Sequence, residues 1–156
     1  MKETYLTVTG RIRSEVQELE HVIDRTQRIW QTAQKTNVDY YIDAVALNLH
    51  SFYAGLERIF EVVAANIDRT KPEGPHWHQD LLRQMATPVP EVRPPILRRD
   101  TRDQPDRYRG FRHVVRNVYT FNFDVAQIEI LLDKLPKTWK QVEQDLLNFA
   151  DFLERV

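Results

Sequence analysis

The side chains best suited to chemistry are concentrated in one stretch, Asp106 to Asp124 (DRYRGFRHVVRNVYTFNFD). Read as a helix from about Arg109, with about 100° of rotation per residue, it sorts into two arcs. Phe111, Val114, Val115 and Val118 gather on one, which is expected to face the protein interior. With Arg112 set at zero, Tyr119 falls at about −20°, Arg116 at about 40°, Arg109 at about 60°, His113 at about 100° and Asn117 at about 140°. One polar face thus carries three arginines, a histidine, an asparagine and a tyrosine. Its guanidinium groups have no Asp or Glu among them, so they call for anions from elsewhere, and a phosphodiester suits their planar, multidentate donors. A histidine beside them places a proton-transfer group next to fixed positive charge. Metal-free RNA cleavage needs this pairing: a base takes the proton of the 2′-hydroxyl while arginine stabilises the charge growing on the phosphorane. The competing reading of the same residues is a solvated basic face, or one paired with acidic residues of other segments.

The elements that must position this face are helical. Ile12, Val16, Leu19, Ile23, Trp30 and Ala33 recur at steps of three, four and seven, predicting a helix over about 5–34. Asn37 or Asp39 can cap a second helix whose stripe runs Val45, Leu49, Phe52, Leu56, Ile59, Val63 and Ile67 until Lys71-Pro72. Seven of the eight prolines lie between Pro72 and Pro105, which leaves room there for one short helix near His76 to Met85. Helical pattern resumes near Asp106 and runs through Tyr119. Asp124 can cap the next segment, with Ile128, Leu131, Leu132 and Leu135 apolar, and Pro136 suits the first turn of a last helix carrying Trp139, Val142, Leu146, Phe149 and Leu153. The expected fold is all-α: a single domain over 1–156, an antiparallel bundle of four main helices plus short ones.

A chain of 156 residues, 42% hydrophobic and 29% charged, can bury a sizeable core. It has no cysteine, which excludes disulfides, thiolate zinc sites and a cysteine nucleophile. Its four glycines, at 10, 55, 74 and 110, form no phosphate-cradling loop, which argues against the usual nucleotide-binding α/β enzymes. No apolar run approaches a membrane span, and the N-terminus MKETYLTVTGRIRSE lacks the apolar block of a signal peptide, so a cytoplasmic protein with no membrane partner is expected. The net charge of −1 hides an uneven distribution. Residues 93–116 hold eight arginines against three acidic residues, whereas 37–92 hold four basic against eight acidic and 117–156 four against seven.

FRHVVRNVY, preceded by LHSFYAGLERIFEVVAANI and WHQDLLRQM, resembles the HEPN superfamily, specifically the HepT-like ribonuclease toxins encoded beside a minimal nucleotidyltransferase antitoxin. The resemblance extends from about Asp39 to the C-terminus. It implies a homodimer of all-α bundles with the active site in a cleft at the dimer interface, acting on RNA such as tRNA or mRNA, with no cofactor. The family motif is an arginine, a polar residue, a few more residues and a histidine, often with a tyrosine two places later. Here Arg112 is the motif arginine, His113 the polar residue, and Asn117 stands where the histidine is expected, with Tyr119 two places on. Asparagine cannot serve as a general base. Two readings follow: His113 is the working base, with Arg107 also fitting as its upstream arginine, or the chain is a catalytically degenerate module that partners a nucleotidyltransferase. The resemblance assigns catalysis to Arg112, His113 and Asn117, RNA-phosphate binding to Arg109, Arg116 and Arg107, and AMPylation by the antitoxin to Tyr119. The alternative for Tyr119 is packing at the edge of the core.

Other signals are weaker. His76-Trp77-His78 lacks a third metal ligand nearby in sequence, so no metal site is expected. His21 and His50 read as structural. The wide band Leu49, Phe52, Tyr53, Leu56, Ile59 and Phe60 leaves part of itself for a subunit interface, and Glu57 and Arg58 within it could pair across helices.

Overall fold

The computed structural model describes residues 1–119 and 122–156, and the fold is all-α. Helix α1 spans Lys2–Thr36 and stops where Asn37 turns left-handed, at φ 53°. Helix α2 spans Tyr40–Val63 and widens into a π turn, Ala64–Asp68, closed by Arg69 at φ 56°. The helical run therefore ends before the Lys71-Pro72 stop expected from sequence. The Thr70 amide bonds back to the Ala64 carbonyl at 3.0 Å, and the Asp68 side chain is committed to a tertiary ion pair. Helix α3 spans Trp77–Met85, α4 spans Arg99–Asn117, and α5 spans Val125–Arg155.

Two helices are longer than their prolines suggest. Helix α4 starts at Arg99 and carries Pro105 inside it, because the residue before it is held from outside: the Arg98 amide and Nε bond the two oxygens of Asp145 on α5, at 3.1 and 2.7 Å. Helix α5 is continuous through Pro136, correcting the expectation of a separate last helix. A helix-interior proline costs about 3 kcal/mol. Leu135 and Trp139, one turn apart across it, keep a single buried stripe in phase from Ile128 to Leu153. Each such side chain contributes about 1.5–3 kcal/mol on burial, and the continuous stripe outweighs the lost hydrogen bond. Asp124 caps α5 as expected, its Oδ1 accepting from the Ala126 and Gln127 amides at 3.0 and 3.4 Å.

Helix α1 packs along α2 and α5, α4 lies against α2 and α5, and α3 sits on α2 and α4. Gly55 permits the close approach of α1 to α2, since a Cβ there would lie 2.5 Å from Leu19 Cδ2. Phe52 joins α2 to its neighbours by edge-to-face contacts with Tyr108 of α4 and Trp139 of α5, at ring separations of 5.3 and 6.0 Å. Leu49, Phe52, Tyr53, Leu56, Ile59 and Phe60 are all buried in this chain's own core. None of that band is left for a subunit surface, because α1, α3 and α4 pack against α2 and bury these six side chains.

The proline-rich segment between α2 and α4 is anchored by Arg93, whose side chain is fully buried. Its Nε and Nη2 bond the two oxygens of Asp68 at 2.6 and 2.7 Å, and its remaining donors reach the carbonyls of Thr87, Pro94 and Gln84.

On α5, Trp139 Nε1 donates to Glu20 of α1, and nearby Glu143 has its pKa raised, by burial first and then by the charge of Glu20. The folded state thus favours protonated Glu143. Its contribution is least unfavourable below the unfolded pKa of about 4.5 and worsens as pH rises through the folded value. Glu143→Gln is expected to raise Tm at pH 7 and to leave it unchanged near pH 3, as thermal melts at the two pH values would show.

Candidate active site

The polar face of α4 divides in the folded protein. Arg112 points inward, its side chain 17% exposed, and its Nη1 donates to Glu57 Oε1 of α2 at 3.0 Å. The other carboxyl oxygen, Glu57 Oε2, lies 2.7 Å from His78 Nδ1 of α3, and that nitrogen is 3.1 Å from Arg112 Nη1. Glu57 is almost fully buried, and His78 retains 27% of its side-chain surface. Three helices therefore converge on one carboxyl group. Arginine can only donate and a carboxylate can only accept, so the short contact to Glu57 places a proton on His78 Nδ1, and the Arg112–His78 approach is then one between two donors that share the carboxyl group. Nε2 then carries the ring's lone pair. Arg112 Nε is buried without a hydrogen-bond partner among the described residues, as is the hydroxyl of Tyr53 one turn before Glu57. Burial, and then the charge of Glu57, pushes the Tyr53 pKa up and keeps the phenol neutral.

Arg109 does not match the expectation of arginines without a carboxylate on their own helix, because its Nε bonds Asp106 Oδ1 at 2.7 Å, three residues earlier. The basic segment is more internally neutralised than its composition suggests. Arg93 pairs with Asp68, Arg98 with Asp145, Arg102 with Asp103, Arg109 with Asp106 and Arg112 with Glu57. Arg107 and Arg116 are exposed. About 500° of rotation separates Arg107 from Arg112, which sets them on different sides of α4.

His113 and Asn117 sit one turn apart on the solvent side. Asn117 Nδ2 donates to the His113 carbonyl at 2.7 Å, which fixes that atom as the amide nitrogen, and it also lies 3.3 Å from His113 Nδ1. In the neutral ring that contact makes Nδ1 the acceptor and leaves the proton on Nε2. In this tautomer His113 presents a donor. Helix α4 ends at Asn117 and Val118 is extended, so Val118 leaves the interior arc predicted for it and is exposed. Tyr119 follows just beyond the helix end and is 75% exposed, unlike a tyrosine packed at the core edge.

Sequence reasoning missed three residues. Glu57 and Arg58 do pair across helices, but in different directions: Arg58 with Glu15 of α1, Glu57 with the site. His78, outside the basic segment, suggests only a metal ligand from its sequence neighbours. Half-buried His50, seven residues before Glu57 and on the same side of α2, has its pKa lowered, by burial first and then by the charges of Arg112 and Arg116. The available signal was the spacing His50, Tyr53, Glu57, three hydrogen-bonding side chains on one face of a largely apolar helix.

Among the described residues, no three His, Cys, Asp or Glu side chains converge as metal ligands, and no helix is long and apolar enough to cross a membrane. No curated protein and no solved structure matches the chain. A family model described as HepT-like protein matches residues 44–153, from α2 through nearly all of α5, and so takes in Glu57, His78 and the whole Arg112 to Tyr119 segment. With well over half of its length matched, this chain belongs to the HepT-like protein family.

Proposed function

We propose that this protein is a metal-independent endoribonuclease toxin that acts as a homodimer and is restrained by a nucleotidyltransferase antitoxin. The observation that carries this reading is the fixed guanidinium of Arg112, held at the base of a polar face with the imidazole of His113 next to it in the chain. An anchored cation for the phosphorane and an imidazole for proton transfer together supply what a metal ion would otherwise provide. Arg109 and Arg116 flank Arg112 by one turn on either side and would hold the scissile phosphate. Arg107 would meet the RNA backbone farther along the strand, and Asn117 would fix the ring and tautomer of His113.

The whole chain is read as one HEPN-type domain, with α1 supporting α2 and α5. Homodimerisation is supported by apolar side chains left on the surface: Tyr40 and Leu47, two turns apart on α2, and Val118, Val125 and Ile130 around the α4–α5 connection. A symmetric dimer would place two arginine-bearing faces in one cleft and make RNA binding sensitive to salt. Exposed Tyr119, beside that face, is the acceptor proposed for AMP, whose phosphate would add negative charge where RNA must bind. Its localisation is taken to be cytoplasmic, with its RNA substrates.

The degenerate-module reading rests on a specific observation as well: Asn117 replaces the motif histidine and its amide occupies His113 Nδ1. One assay separates the two. The protein is incubated with total RNA in EDTA beside His113→Ala. Cleavage by the wild type that falls about 10²-fold or more in the variant supports the enzyme. Intact RNA with retained RNA binding supports the binding module. For Tyr119, incubation with ATP and the cognate nucleotidyltransferase is expected to add one AMP, located by mass spectrometry and absent in Tyr119→Phe; an adduct elsewhere, or none, removes the assignment.

A further inference from the structure

We infer that His78, oriented by Glu57, is the general base of this site, a role that rests on the ribonuclease reading. The Glu57–His78 contact of 2.7 Å has the geometry by which a carboxyl group orients a catalytic imidazole: the carboxyl receives Nδ1–H, and Nε2 is left with the lone pair that accepts a proton. Glu57 is buried and so held in one rotamer, while His78 keeps part of its surface open to a substrate. Its Nδ1 lies 3.1 Å from the Arg112 guanidinium, whose side chain keeps 17% of its surface open, so a phosphate that meets this guanidinium would lie close to the same ring. Trp77 stacks on that ring at 3.6 Å and restricts its rotation.

This assignment resolves a chemical shortfall. RNA transesterification needs a proton acceptor and a proton donor; Asn117 can be neither, and the single imidazole of His113 cannot be both in the same step. His78 Nε2 takes the 2′-hydroxyl proton as that oxygen forms its bond to phosphorus. The bond from phosphorus to the 5′-oxygen breaks, its electron pair stays on oxygen, and the oxygen takes the Nε2 proton of the imidazolium form of His113, which is left as the neutral imidazole. The products are a 2′,3′-cyclic phosphate and a 5′-hydroxyl. One proton has passed from RNA to His78 and one from His113 to RNA, and exchange with water restores both rings.

The charged and titratable groups facing His78 are Glu57, with Tyr53 behind it, from α2, and Arg112, with the Arg109–Asp106 pair one turn away, from α4. The experiment measures kcat, KM and their pH dependence on an RNA oligonucleotide for wild type, His78→Gln and Glu57→Gln, with helicity and Tm as folding controls. His78→Gln is expected to lower kcat by about 10²–10⁴-fold with KM unchanged, and to abolish the low-pH fall in rate that marks protonation of the base. Glu57→Gln is expected to lower kcat by about 100-fold while keeping a displaced low-pH limb. Wild-type kcat in His78→Gln, or a low-pH limb that persists there, overturns the assignment and leaves the ribonuclease reading intact; a wild type that leaves RNA uncut removes both. Nitrogen-15 NMR of the wild-type histidines tests the dyad without any variant: the Nδ1–H tautomer is expected at His78, and the Nε2–H tautomer would overturn the proposal.

Discussion

Arg112→Ala is expected to lower RNA cleavage by about 10²–10³-fold, the usual cost of removing one donor from the charge developing in an acyl or phosphoryl transition state. The loss should fall on kcat, because Arg109 and Arg116 remain to bind the ground-state phosphodiester. The stability cost is smaller than for an ordinary buried ion pair. Glu57 loses the donor to Oε1 but keeps His78 at Oε2, so about 1–3 kcal/mol is expected. The double variant Arg112→Ala, Glu57→Ala separates the two effects. Removing both charges relieves the buried carboxyl and should return part of the Tm, while cleavage stays at or below the level of the single variant because His78 also loses the carboxyl that orients it. Urea titration and initial rates on the same preparations check this. Recovery of cleavage in the double variant would mean that Arg112 serves only to neutralise Glu57.

Arg93→Ala should have the largest effect on folding. It leaves Asp68 buried without the partner that binds both its oxygens, and it strips donors from three backbone carbonyls. Breaking a buried pair on one side costs about 3–5 kcal/mol. At roughly 2–4 °C per kcal/mol for a chain of this size, Tm should fall by about 10 °C. Arg93→Lys should recover little, since an ammonium cannot span both Asp68 oxygens and the carbonyls at once. The expected consequence at the site is indirect. Arg93 fastens the segment that carries α3, so hydrogen exchange in Trp77–Met85 should quicken and cleavage should drop with the loss of His78 placement.

The helices that build the scaffold were legible because their periodicity is strong. Ile12 to Ala33 and Val45 to Val63 predict α1 and α2 within a few residues, and Asp124 was readable as a cap from its side-chain chemistry. Boundaries failed where a distant residue decides them. Asp145 fixes the residue before α4, Asp68 leaves the end of α2 for Arg93, and the in-phase core carries α5 through Pro136. The same division runs through the site. Arg112, His113, Asn117 and Tyr119 are adjacent in sequence, so their common segment was visible at once.

What the sequence determined by itself is the all-α class, the family and the composition of one helix face, because each rests on residues a few positions apart. Only the tertiary structure decided what that face does with its charge. It turns Arg112 onto Glu57, brings His78 to the same carboxyl from a proline-rich segment, and balances five of the eight arginines of residues 93–116 with carboxylates. Glu57, His78 and Arg112 are separated by 21 and 34 residues of chain. No local spacing encodes their meeting, which follows from how the apolar faces of α2, α3 and α4 pack.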